Sequence, residues 1–162
     1  MKINKFLMLF LVIGFTVLQC TALEYIRIFK VKPDILLILI IFFSLYYGRT
    51  YGLIVGALCG IFSEATSGMP AGFTILTYSL AGLILGHIGR WVYNQKIFSQ
   101  IGISFIFIFV IYLTLLFAFR APELNRFLSD ILIFIILPAS LYTACLTPVL
   151  FYFLKLILNL TR

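Results

Sequence analysis

Apolar residues fill this chain in long blocks with little polar interruption. Stretches such as "ILLILIIFF" and "ISFIFIFVIYLTLLFAF" are apolar on every face, so no helical period picks out a side that must meet water. Blocks bounded by charge, Gly or Pro lie near 6–23, 33–48, 51–65, 70–88, 100–119 and 129–158. A helix crosses a bilayer with about 20 apolar residues, within a range of about 17–25. The pattern therefore predicts an all-α integral membrane protein with six transmembrane helices, forming a single transmembrane domain over residues 1–162. The alternating apolar and polar strands of an outer-membrane barrel are absent from the sequence, and the short connections leave no room for a soluble domain.

Composition agrees with the pattern. Of 162 residues, 64% are hydrophobic and 10% charged, with a mean hydropathy of +1.19. A soluble domain carries about 25% charged residues, so the polar side chains here are too few to cover a water-facing surface. The net charge of +7 sits at the ends of the apolar blocks. It fits loops held on the positive side of a membrane better than a nucleic-acid surface, and no nucleic-acid partner is expected. With cytoplasmic termini, Lys2, Lys5, Arg49, Arg90, Lys96, Lys155 and Arg162 fall inside, against Arg27, Lys30, Lys32, Arg120 and Arg126 outside. The opening "MKINKFLMLFLVIGFTVLQCTALEY" is expected to be an uncleaved first helix. Its apolar run exceeds a signal h-region, and Gln19 precedes Cys20 where a lipoprotein cleavage site wants a small residue.

Candidate chemistry is sparse. Cys20, Cys59 and Cys145 lie scattered in apolar segments and the chain has one histidine, His87, which supports neither a disulfide framework nor a metal site. No HExxH, no GxSxG and no paired aspartates occur within the spans. Catalysis would need a nucleophile, an acid–base pair or metal ligands held together, so no enzyme activity and no cofactor are expected.

The informative features are small residues and isolated carboxylates. Gly48, Gly52, Gly56 and Gly60 recur every four residues; each step turns about 40° around a helix, giving one slanting stripe. Gly82 and Gly86 repeat the spacing in the next block. Glycine weakens a helix by about 1 kcal/mol relative to alanine, and close helix approach in lipid is the expected compensation. Glu64 lies one further step along the stripe. A carboxylate at the bilayer centre costs roughly 2.5–3.5 kcal/mol, so Glu64 is expected near the outer interface. There Thr66, Ser67 or backbone donors of a helix starting at Pro70 can bond it. Pro33 and Asp34 suit the first turn of the second helix, with Lys30 and Lys32 close enough in sequence to pair with Asp34. In the final block, Pro138 and Pro148 each free a carbonyl that Ser140, Thr143 and Thr147 are placed to satisfy.

The stretch from Lys32 to Arg90 resembles the rod-shape-determining protein MreD family. The resemblance rests on Pro33 and Asp34; on Gly52, Gly56 and Gly60; on Glu64, where the family usually carries aspartate; on Ser67, Gly68 and Gly72 in the turn; and on Leu76, Tyr78, Gly82 and Gly86 in the helix after it. It implies a non-enzymatic inner-membrane scaffold of the bacterial cell-elongation (rod) complex, supporting cell shape and lateral peptidoglycan synthesis. The implied partner is an MreC-like bitopic membrane protein. Through it come the MreB filament, a RodA-like glycosyltransferase and a penicillin-binding transpeptidase. The resemblance also implies a fold similar to the S-components of vitamin transporters, which leaves a small-molecule-binding transporter subunit as the alternative. Those subunits typically carry Ala-x-x-x-Ala in the first span, and this chain does not. An obligate structural subunit of another membrane complex is a third possibility.

Overall fold

A computed structural model describes residues 5–25, 33–67, 72–92, 97–120 and 132–158. Six α-helices are described: α1 (Lys5–Tyr25), α2 (Ile35–Tyr47), α3 (Arg49–Ser67), α4 (Phe73–Val92), α5 (Ile97–Arg120) and α6 (Leu137–Ile157), the last preceded by a π-helical turn at Leu132–Ile136. No strand occurs among the described residues.

The organising element is α2. Its 13 residues reach about 20 Å at 1.5 Å per residue, well short of the roughly 30 Å hydrocarbon core of a bilayer. It need not face lipid, because every residue from Ile35 to Ser44 is buried. A helix apolar on all sides is a buried helix, and α2 touches α1, α3, α4, α5 and α6. Phe42 meets Phe151 of α6 edge-on at 5.2 Å between ring centroids, and Lys155 lies 5.3 Å above the Tyr46 ring.

Gly48 links α2 directly to α3. Its φ of 87° is a left-handed conformation that L side chains resist, and its N–H donates to the Ser44 carbonyl at 3.1 Å. The expected glycine stripe is corrected here, since Gly48 lies between two helices and does not begin the third. The chain turns at this residue, and a turn needs what glycine alone supplies.

Two helical stretches, Phe98–Ala118 and Phe134–Ile157, are long and apolar enough by themselves to cross a membrane. Shorter apolar stretches occur at Phe6–Thr21, Ile35–Tyr47 and Phe73–Gly89. The outer faces carry large exposed apolar side chains, among them Phe6, Phe10, Leu76, Phe98, Phe134 and Val149. Such a surface is a liability in water and is matched by lipid tails. Pro138 occupies the first turn of α6 and Pro148 its interior. The nearby hydroxyls do not take up the carbonyls those prolines leave, those of Phe134 and Ala144. Ser140 donates to Leu137 O, Thr143 to Ala139 O and Thr147 to Thr143 O.

Candidate functional site: two carboxylates and a glycine seam

The seam between α3 and α4 sets the position of everything polar around it. The two helices run antiparallel and are the most extensively packed pair. A Cβ added at Gly52 would strike the Gly82 carbonyl oxygen, and one added at Gly82 would strike the Gly52 carbonyl oxygen. Further along, a Cβ at Gly56 would meet the backbone of Tyr78 and Ser79. One at Gly60 would come to 3.2 Å from Thr74 O, and one at Gly86 to 2.8 Å from the Gly48 carbonyl carbon. Backbone rests on backbone at each step, which is how small residues draw helices together in lipid.

Glu64 closes one end of this seam. Its Oε2 accepts from the Gly72 N–H at 2.8 Å and its Oε1 from the Ile75 N–H at 3.0 Å. The first turn of a helix leaves N–H groups without intrahelical partners, and the helix N-terminus favours negative charge. Glu64 of α3 thus caps α4. That helix begins at Phe73, later than the expected Pro70, because Gly72 sits at φ +100°, outside the helical region. Thr66 does not assist Glu64; its hydroxyl donates to Phe62 O and Ser63 O of its own helix. Gly68, Pro70 and the side chain of Ser67 lie outside the described residues.

Asp34 is the second centre. It caps α2, accepting from the Leu37 N–H at 3.3 Å, with buried Pro33 just before it. Its carboxylate also accepts from Gln19 Nε2 of α1 at 3.1 Å and from the Tyr78 hydroxyl of α4 at 3.3 Å. Its own N–H donates to Thr143 Oγ1 of α6 at 3.2 Å. Gln19 Oε1 completes the ring by accepting from the Leu36 N–H at 3.1 Å. Three donors converge on one carboxyl group, the complement of an acceptor-only carboxylate. One residue therefore ties α1, α2, α4 and α6 together. Lys30 and Lys32, the expected ion-pair partners, lie outside the described residues.

The seam and the hub are mechanically linked. Gly56 admits the Tyr78 backbone against α3, and from that position the Tyr78 phenol reaches Asp34 while remaining 2% exposed. Both carboxylates lie toward the same end of the bundle, at the start of α2 and the end of α3.

Sequence reasoning missed Gln19, read only against a cleavage site, and missed Thr143 as a partner of Asp34. The available signal was the rule that polar side chains in apolar spans seek one another. It also missed Gly89, where an added Cβ would strike Leu45 of α2.

Among the described residues no group of three or more His, Cys, Asp or Glu is placed to hold a metal. Cys59 is buried, and Cys20 and Cys145 are exposed free thiols. The arrangement joins helices.

Comparison with known families matches the chain to the family described as rod shape-determining protein MreD, over residues 1–160. No curated protein and no solved structure matches, so the expected likeness to S-components gains no support.

Proposed function

The chain belongs to the rod shape-determining protein MreD family, and from that premise we propose that it is a multi-pass, non-enzymatic scaffold of the cell-elongation complex. Membership makes it a shape-determining protein of the inner membrane. The finer reading is that six helices cross the membrane with both termini cytoplasmic, and that the bundle presents a surface to an MreC-like bitopic protein. Through that partner it would support peptidoglycan synthesis by the MreB filament, a RodA-like glycosyltransferase and a penicillin-binding transpeptidase.

One observation carries the scaffold reading. The two carboxylates nearest to a chemical site are engaged by donors of the protein itself, Glu64 by α4 and Asp34 by Gln19, Leu37 and Tyr78. They fix where α1, α3, α4 and α6 sit relative to the central helix. A rigid, lipid-embedded shape is what a scaffold needs. The test is complementation: a rod-shaped bacterium depleted of its own MreD protein should regain rod shape when this chain is supplied with its cognate MreC-like protein. Cells that stay round, despite normal insertion of both proteins, would contradict the proposal.

A further inference from the structure

The first helix is attached differently from the rest. Its inward face, Met8, Leu11, Val12 and Phe15, is buried, while its outward face carries Phe6 at 82% and Phe10 at 74% exposure. Both faces are apolar. In lipid the inward face gains no hydrophobic reward for staying docked, because tails replace the protein contacts; packing and hydrogen bonds hold helices together there. Two of the polar side chains of α1 offer nothing outward, since Thr16 donates to Val12 O and Thr21 to Val17 O of the same helix. Among the described residues, the side chain of α1 that hydrogen bonds another helix is Gln19, which donates to Asp34 Oδ1 and accepts from the Leu36 N–H.

The remaining helices are bound to one another independently of α1. The glycine seam and Glu64 lock α3 to α4, and α2 is packed by α3, α4, α5 and α6. Asp34 keeps Tyr78, Leu37 and Thr143 as partners without any contribution from Gln19. Helix α1 packs its apolar inward face on α2 and α3, and Gln19 adds a two-pronged latch on the start of α2.

We infer that α1 is a separable arm of the bundle and that Gln19 is the positioning residue that seats it. With the latch closed, the Asp34 carboxylate and the Leu36 N–H are covered by one amide. With it open, α1 swings away in the plane of the membrane while α2–α6 keep their arrangement. This rests on the hydrogen-bond geometry alone and stands whether or not the proposed partner is correct.

The exposed thiols supply the test. Nitroxide labels on Cys20 of α1 and Cys145 of α6, in the full chain carrying Cys59→Ala and held in lipid nanodiscs, report the position of the arm by electron–electron distance measurement. A reference pair, Cys145 with a label at Leu80→Cys on the exposed face of α4, in Cys20→Ala, Cys59→Ala protein, reports the inner bundle. With Gln19 present, each pair gives one narrow distribution. Gln19→Leu, which keeps the side chain lipid-compatible, adds a second, longer population for Cys20–Cys145 and leaves the reference pair unchanged. An unaltered Cys20–Cys145 distribution in Gln19→Leu overturns the inference. A change in both pairs overturns it equally, because the inner bundle would then depend on α1.

Discussion

Gly52 and Gly82 face each other across α3 and α4 so closely that a Cβ on either would collide with the carbonyl oxygen of the other. The obstruction is backbone, which cannot rotate aside as a side chain can. Gly52→Ala and Gly82→Ala should each lower stability by about 1–3 kcal/mol, the usual range for overpacking, and leucine at either position by more. Gly102→Ala is the control. Nothing lies within 4 Å of a Cβ there, and alanine gains up to about 1 kcal/mol of helix propensity. Thermal unfolding in detergent should place Gly52→Ala below the wild type and Gly102→Ala at or above it.

Glu64 uses both carboxylate oxygens, one for each of two N–H groups. Gln offers one acceptor and turns an NH2 toward the second donor, so Glu64→Gln should keep part of the cap. Glu64→Leu removes all of it, leaving the N–H groups of Gly72 and Ile75 without this partner. The expected order of unfolding temperature is wild type, Gln, then Leu, with cell-shape complementation following the same order. If Gln abolished complementation in folded, inserted protein, the charge itself would be required and a purely structural role would fail.

Tyr78→Phe separates the hub from the seam. It retains the ring and the backbone contact with Gly56 while deleting the hydroxyl that Asp34 accepts. A typical hydrogen bond contributes about 0.5–1.5 kcal/mol, so a measurable loss of thermal stability is expected with no change in helix content by circular dichroism. Asp34→Leu should cost more than Tyr78→Phe. It removes the acceptor shared by Gln19 Nε2, the Tyr78 hydroxyl and the Leu37 N–H together.

The proposed orientation rests on the basic residues at the block ends. A cysteine at Lys96 should label only from the cytoplasmic side and one at Arg126 only from outside, with membrane-impermeant maleimide on intact cells as the probe. External labelling at Lys96 would reverse the assignment.

The helical architecture was readable because apolar blocks need no tertiary information. The glycines were readable because a four-residue repeat of small residues has one main use in lipid. Glu64 could be matched to donors of the next helix for a similar reason, since both lie within a dozen residues of each other. Asp34 was different. Its partners Gln19 and Thr143 are 15 and 109 residues away in sequence, and nothing local marks them as neighbours. The central place of α2 was likewise hidden. An all-apolar run reads the same whether lipid or protein surrounds it, and the block read as 33–48 proved to hold a buried helix of 13 residues. Gly48 was misplaced because the repeat extends through it, although its φ of 87° ends the helix there.

The central claim is that this bundle is a scaffold for a bitopic partner, and purification from native membranes tests it most directly. The chain, mildly solubilised and affinity-captured, is compared with a Gly52→Leu variant of equal abundance, and bound proteins are identified by mass spectrometry. The account predicts an MreC-like single-span protein enriched with the wild type and reduced with Gly52→Leu, which deforms the α3–α4 seam. Folded wild-type protein that brings down no such partner would contradict it.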